Sequence, residues 1–231
     1  MRASLTADPR GLPVIKAVVF DLDGTLVSSK IDFAGMKAEL ACILRERYGL
    51  TVSTKTTTAD IVDTVLARVK GLKVSRVLTE MSVVMDRYES AALPTVSLMP
   101  GASSSLRRLK AMGLKTGVLT RGGVTYAYEA LRRTGLSGLI DAVEARVDLL
   151  KAKPNPVALF NLCARLEAGP WESLVVGDHI IDLVCSRLSG ACFIGFNPMG
   201  VKRSWPSGVE TVDSLAEIPR LLLKSVSSLF K

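Results

Sequence analysis

Between Ile15 and Phe20 the chain is apolar everywhere except Lys16, a continuity expected of a strand covered on both faces of a parallel sheet. The run then breaks into Asp21-Leu22-Asp23-Gly24-Thr25, so two carboxylates emerge at a strand's carboxyl end, the edge at which open α/β sheets bind ligands. From Ser28 to Leu93 the apolar positions fall instead at helical spacing. Phe33–Tyr48, with Met36, Leu40, Ile43 and Leu44 on one side, predicts an amphipathic helix ended by Gly49. The threonine-rich loop Thr51–Thr58 supplies an N-cap to a second helix through Ile61, Val62, Val65, Leu66 and Val69 that stops at Gly71, and Ser75–Ala92 predicts a third.

Pro94 and the Pro100-Gly101 turn close this all-helical insert. Beyond it the two periods alternate. Helices are expected over Ala102–Met112, Val124–Arg133, Asn155–Leu166 and Ile180–Leu188, and strands over Lys115–Leu119, Ala142–Ala145, Ser173–Val176 and Cys192–Phe196. A basic amphipathic helix from Ser214 to Phe230 ends the series and is expected to pack on the sheet rather than on a membrane. Such alternation demands the α/β class, a parallel sheet with right-handed crossovers.

Composition narrows the function classes. At 231 residues and 48% hydrophobic, the chain can bury a large core. No apolar run reaches the roughly 20 residues that span a bilayer, and Met1 to Pro13 lacks the apolar centre of a signal peptide, so a cytoplasmic protein with no membrane partner is expected. The net charge of +8 is spread among acids rather than gathered in a block, and aromatics are only 5%. Nucleic-acid binding is therefore not expected, and a field that attracts small anions is. Cys42, Cys163, Cys185, Cys192 and the single His179 have no zinc-ligand spacing, so the cysteines are expected as free, buried thiols.

Three more polar clusters stand just past a strand or at a helix start: Thr120-Arg121-Gly122-Gly123, Lys153-Pro154-Asn155-Pro156, and Gly177-Asp178-His179-Ile180-Ile181-Asp182. In a parallel sheet they converge on the edge that carries Asp21. Several carboxylates brought together need a hard cation with oxygen ligands, which points to Mg2+. The Thr120 hydroxyl, the glycine-freed N–H groups after it and the Lys153 ammonium can cradle a phosphoryl group, and a carboxylate can then approach phosphorus despite like charge.

These four clusters, in this order and over essentially the whole chain, resemble the motifs of the haloacid dehalogenase (HAD) superfamily, in its phosphoglycolate phosphatase-like branch with a small helical cap. The resemblance implies a Rossmann-like three-layer αβα core over 1–27 and 95–231 and a cap over 28–94 inserted after the first strand. It implies that Asp21 attacks phosphorus to form an aspartyl-phosphate, and that Asp23 serves as acid and then base. Lys153 belongs to the catalytic set, and Thr120, Arg121, Gly122 and Lys153 hold the phosphate. Asp21, the backbone carbonyl of Asp23, and Asp178 ligate Mg2+, with Asp182 one turn further on steering a metal-bound water or Lys153.

The chain departs from that pattern at Arg121, where the family often has asparagine; its backbone N–H still suits the phosphate, and its side chain reaches either a substrate carboxylate, a second phosphate or solvent. His179 is expected to shape its loop, and Asp32, Phe33 and Lys37 to face the site from the cap. The linkers Ser28–Lys30 and Pro94–Pro100 are expected to act as hinges. The leading function is hydrolysis of a small phosphorylated metabolite by a monomer or homodimer. Alternatives are a sugar-phosphate mutase of the β-phosphoglucomutase type and a non-catalytic phospho-ligand-binding module. Halide displacement is disfavoured because it has no use for the acid/base at Asp23.

Overall fold

The computed structural model describes residues 14–71, 73–198, 201 and 203–227. Met1 to Pro13, where no signal-like centre is found, lies outside them, as does the end of the expected last helix. Six parallel strands form the sheet: β1 (Ala17–Phe20), β4 (Lys115–Gly123), β5 (Ala142–Arg146), β6 (Ser173–Gly177), β7 (Cys192–Phe196) and β8 (Thr211–Val212), in the order β5-β4-β1-β6-β7-β8. Phe20 of β1 stands opposite Val118 of β4 on one side and Val176 of β6 on the other. The chain thus leaves β1 in one direction and later returns on the other, which makes the carboxyl end of β1 the switch point of the sheet.

The apolar run through β1 is explained by what covers it. Val18 and Phe20 join Leu106, Leu109, Ala127, Ala130, Leu131 and Ile218 in one cluster, from α4 (Ala102–Ala111), α5 (Val124–Arg133) and α8 (Ile218–Ser227). Ala17 and Val19 join Leu159, Leu162, Cys163 and Cys185 in the other, from α6 (Pro156–Arg165) and α7 (Ile180–Ser189). Successive side chains of a strand alternate in direction, so a strand buried on both faces is apolar throughout. Full burial of a side chain such as Phe20 contributes about 1.5–3 kcal/mol.

Between β2 (Val27–Ser28) and β3 (Ser97–Leu98) lie the three expected helices, α1 (Phe33–Tyr48), α2 (Thr58–Arg68) and α3 (Lys73–Ala92). Their apolar stripes meet in one cluster that includes Met36, Leu40, Leu44, Ile61, Val65, Val77, Met81 and Met85. Gly49 ends α1 with φ 63, and Thr57 with Asp60 makes a capping box for α2. The two linkers pair with each other as the antiparallel ribbon β2–β3.

Three boundaries differ from expectation, and so does the burial of two cysteines. β4 runs on through Thr120–Gly123, expected as a loop, because Gly123 pairs with Arg146 of β5. β8 is only two residues long and carries no periodic signal. The last helix begins as a single tight turn, Leu215–Glu217, and becomes α8 at Ile218-Pro219, since proline suits a helix's first turn. Of the four free cysteines, Cys163 and Cys185 are buried, Cys42 is half-buried and Cys192 exposed. Among the described residues no helix is long and apolar enough to cross a membrane.

One polar cluster ties the helical insert to the sheet. The Arg146 guanidinium, from β5, donates to both carboxylate oxygens of Glu89 in α3 at 2.8 Å and to Asp86 at 3.0 Å. Arg146 and Glu89 side chains are 1% and 5% exposed. Removing one partner strands a buried charge, so Arg146→Met is expected to lower stability by about 3–5 kcal/mol. The Arg146→Met/Glu89→Leu double variant is expected to lose less, in a urea-denaturation cycle. Additive losses would contradict the coupling.

Candidate active site

Three adjacent strands deliver the motif residues: Asp21 directly follows β1, β4 carries Thr120 and Asp178 directly follows β6. After Phe20 the Asp21 N–H still donates to Val176 O, at 2.9 Å, and the chain then folds tightly, Gly24 N–H donating to Val27 O at 2.8 Å. Gly24 has φ +86, and a Cβ there would stand 2.5 Å from an Asp178 carboxylate oxygen. The glycine therefore meets two demands, a left-handed backbone and the close approach of Asp178. Gly177 meets only the second demand, for Asp182, whose carboxylate would lie 2.5 Å from an added Cβ.

Lys153, from the β5–α6 connection, is the bridge. Its ammonium donates to Asp21 Oδ1 and to Asp182 Oδ1, each at 2.6 Å, with the Lys153 and Asp182 side chains both 3% exposed. Asp182 occupies the third position of α7, where Oδ2 accepts from the His179 N–H at 3.1 Å. Its carboxylate is thus aimed by a capping box, and it stands in the first helical turn rather than one turn along a helix from Asp178. His179 is the N-cap, its Nδ1 accepting from the Ile181 N–H at 3.2 Å, which fits the expected loop-shaping role. Asp178 accepts from Thr25 Oγ1 at 3.3 Å and from Arg203.

Asp21, Asp178 and Asp182 each present an oxygen within 4.8 Å of the others. Their three carboxylates face two cations, Lys153 and Arg203. Burial pushes the Asp21 and Asp178 carboxyls above the usual carboxylate range, Lys153 and Arg203 respectively opposing it. Burial alone would lower the Lys153 ammonium, but Asp182 and Asp21 raise it above its ordinary value. The set has a residual negative charge and offers hard oxygen donors, so it fits a small divalent cation.

Asp23 stands apart from that cluster. Ser29 Oγ at 2.8 Å and Tyr126 Oη both donate to its Oδ1, and burial raises its carboxyl despite them. The Thr120 hydroxyl oxygen accepts from the Gly122 N–H at 2.9 Å, and the Gly123 N–H donates to Glu89 at 2.8 Å. The Gly122 and Gly123 N–H groups, expected to point at a phosphate, are thus engaged within the protein here, and the Thr120 hydroxyl keeps its own hydrogen to donate. A cavity of about 450 Å³ opens over these groups, reached from the insert by Phe33 and Lys37; Asp32 caps α1 instead. Arg121 lines the same cavity.

Sequence reasoning missed Arg203, Tyr126, Ser29, Arg146 and Glu89. Arg203 lies in the β7–β8 connection with no local motif to mark it. Tyr126 offered one signal: a phenol on the buried stripe of α5 needs a polar partner.

Residues 18–196 match the family model described as haloacid dehalogenase-like hydrolase. The chain belongs to that family. It is similar to the phosphoglycolate phosphatase of Thiobacillus denitrificans, 30% identical over 221 residues that cover 90% of this chain and 92% of the relative. It is also similar to (S)-2-haloacid dehalogenase 1 of a Pseudomonas species, at 28% identity with 91% and 97% covered. CbbY from Rhodobacter sphaeroides, crystallised with phosphate, shares the fold with a TM-score of 0.60 at 17% identity, covering 89% of this chain and 96% of that one.

Because Lys153 is the only cation within hydrogen-bond reach of both Asp21 and Asp182 among the described residues, Lys153→Met leaves them unscreened. A loss of about 3–5 kcal/mol is expected by urea denaturation in chelator-containing buffer. A change under about 1 kcal/mol would contradict the bridging role.

Proposed function

We propose that the protein is a Mg2+-dependent phosphomonoesterase acting on a small phosphorylated metabolite through an aspartyl-phosphate, with phosphoglycolate, the substrate named for its relative, as the first candidate. The reading is carried by the placement of Asp21. Its carboxylate sits at the sheet's switch point, held by Lys153 at 2.6 Å and within reach of Asp178. Residues 28–94 serve as the cap and 1–27 with 95–231 as the core. The free thiols suit a reducing compartment such as the cytoplasm.

Asp21 supplies the attacking oxygen. A bond forms from its carboxylate to phosphorus as the bond from phosphorus to the ester oxygen breaks. Asp23, held through Oδ1 by Ser29 and Tyr126, gives its proton to the departing oxygen. The carboxylate so formed takes a proton from the water that attacks phosphorus and releases Asp21. The raised Asp23 carboxyl favours the protonated form that the first step needs. Lys153 and the Thr120 hydroxyl hold phosphoryl oxygens, Gly122 fixes the Thr120 hydroxyl, and Asp182 keeps Lys153 in place. Asp21, the Asp23 carbonyl and Asp178 would hold Mg2+, which when bound offsets phosphoryl charge. The Asp23 pair also favours phosphoryl transfer over the halide displacement named for the Pseudomonas relative, which needs no leaving-group acid.

Release of inorganic phosphate from a panel of phosphorylated metabolites is the test. It is expected with Mg2+, absent with chelator, and reduced more than about a thousandfold in Asp21→Asn. Metal-independent release, no release, or full activity in Asp21→Asn would sink the mechanism, the last also removing any catalytic use for the site. Mg2+ is further expected to raise the melting temperature of the wild type and not of Asp178→Asn.

A further inference from the structure

The Arg121 side chain has a loose end. One of its terminal nitrogens, Nη1, donates to the backbone carbonyl of Lys153. The other, Nη2, is closed off from solvent and has no hydrogen-bond partner among the described residues. No carboxylate among them forms an ion pair with this guanidinium, whereas the buried cations Lys153, in the same cavity, and Arg146, next to it in the fold, are each shared between two acids. The pairing of Arg146 with Glu89 matters here. Glu89 also lines the cavity, but both its oxygens are taken by Arg146 and the Gly123 N–H. It therefore has no oxygen left to hydrogen-bond Arg121.

A buried donor without a partner costs stability, and a charged one more than a neutral one. Burial and the nearby Arg146 hold Arg121 down to about 10, with Asp63, Asp182 and Glu89 opposing from beyond hydrogen-bond reach, so it stays a cation at neutral pH. A guanidinium is a planar fork suited to an anion of two or three oxygens. Nη1 touches the carbonyl of Lys153, the residue whose ammonium contacts Asp21, and Arg121 and Asp21 line the same cavity. The far end of a small ester held at Asp21 lies within that cavity.

We propose that Arg121 is a specificity-determining residue that binds a second anionic group of the substrate, a carboxylate or a further phosphate, a few bonds from the scissile phosphorus. This rests on the phosphomonoesterase reading and narrows its substrate class to esters whose leaving group is itself an anion. A purely structural arginine needs only the Nη1 contact.

The test compares three esters: a phosphorylated hydroxycarboxylate, a bisphosphate and a phosphate ester with an uncharged leaving group. The wild type is expected to favour at least one of the two anion-bearing esters in kcat/KM, and the arm that responds identifies the group. In Arg121→Gln that preference is expected to shrink about tenfold to hundredfold, mainly through KM. Arg121→Lys, which keeps the charge and loses the fork, is expected to recover part of it. An absent preference in the wild type, or a preference unchanged within about twofold in Arg121→Gln and Arg121→Lys, overturns the proposal. The wild type's own preference is read without any variant, so a misfolded variant does not spare the proposal. Release from none of the esters by the wild type overturns the phosphomonoesterase reading itself, and this proposal with it.

Discussion

Burying three carboxylates within a few ångströms of one another is the constraint on which the rest of the structure depends. Asp21, Asp178 and Asp182 arrive from the ends of adjacent strands and the first turn of a helix. Like charges in a low-dielectric setting repel strongly, so the fold must supply opposite charge where they meet. Lys153 does so between Asp21 and Asp182, and Arg203 does so at Asp178. Around that arrangement the backbone is stripped of side chains, at Gly24 and Gly177, where a single added carbon would collide with the acids. The glycines, the lysine and the short strand ends are one solution to one electrostatic problem. The solution leaves the site short of positive charge, which is the condition for recruiting a divalent cation.

A second electrostatic tie joins the insert to the chemistry. Arg146 reaches from β5 to Glu89 and Asp86 of α3 and also donates through Nε to the Arg121 carbonyl at 2.8 Å. Glu89 in turn accepts from Gly123. The backbone that follows Thr120 is therefore held from the insert side as well as by β5. Any movement of α3 acts on the segment that carries Thr120 and Arg121.

Much of this was legible in the sequence, because buried elements leave a periodic trace. β1 read as a doubly covered strand since both its faces are packed, and the three helices of the insert read cleanly because each buries one stripe. Asp21, Asp178 and Lys153 were found because each follows a strand or opens a helix in a parallel sheet. What was not legible depends on partners distant in sequence. Arg203 sits 25 positions from Asp178, and Arg146 sits 57 from Glu89, with no local spacing to announce either. The extension of β4 through Thr120–Gly123 was hidden because two glycines signal a turn, while pairing with Arg146 overrides that preference. β8, at two residues, is too short to show any period.

The central claim is that Asp21 forms a covalent bond to phosphorus. The most direct measurement is to quench the reaction during turnover of a phosphate ester and locate protein-bound phosphate by peptide mass spectrometry. Phosphate is expected on Asp21, rising and decaying with turnover and absent in Asp21→Asn. Sustained phosphate release with no phosphate ever attached to Asp21 would contradict the account.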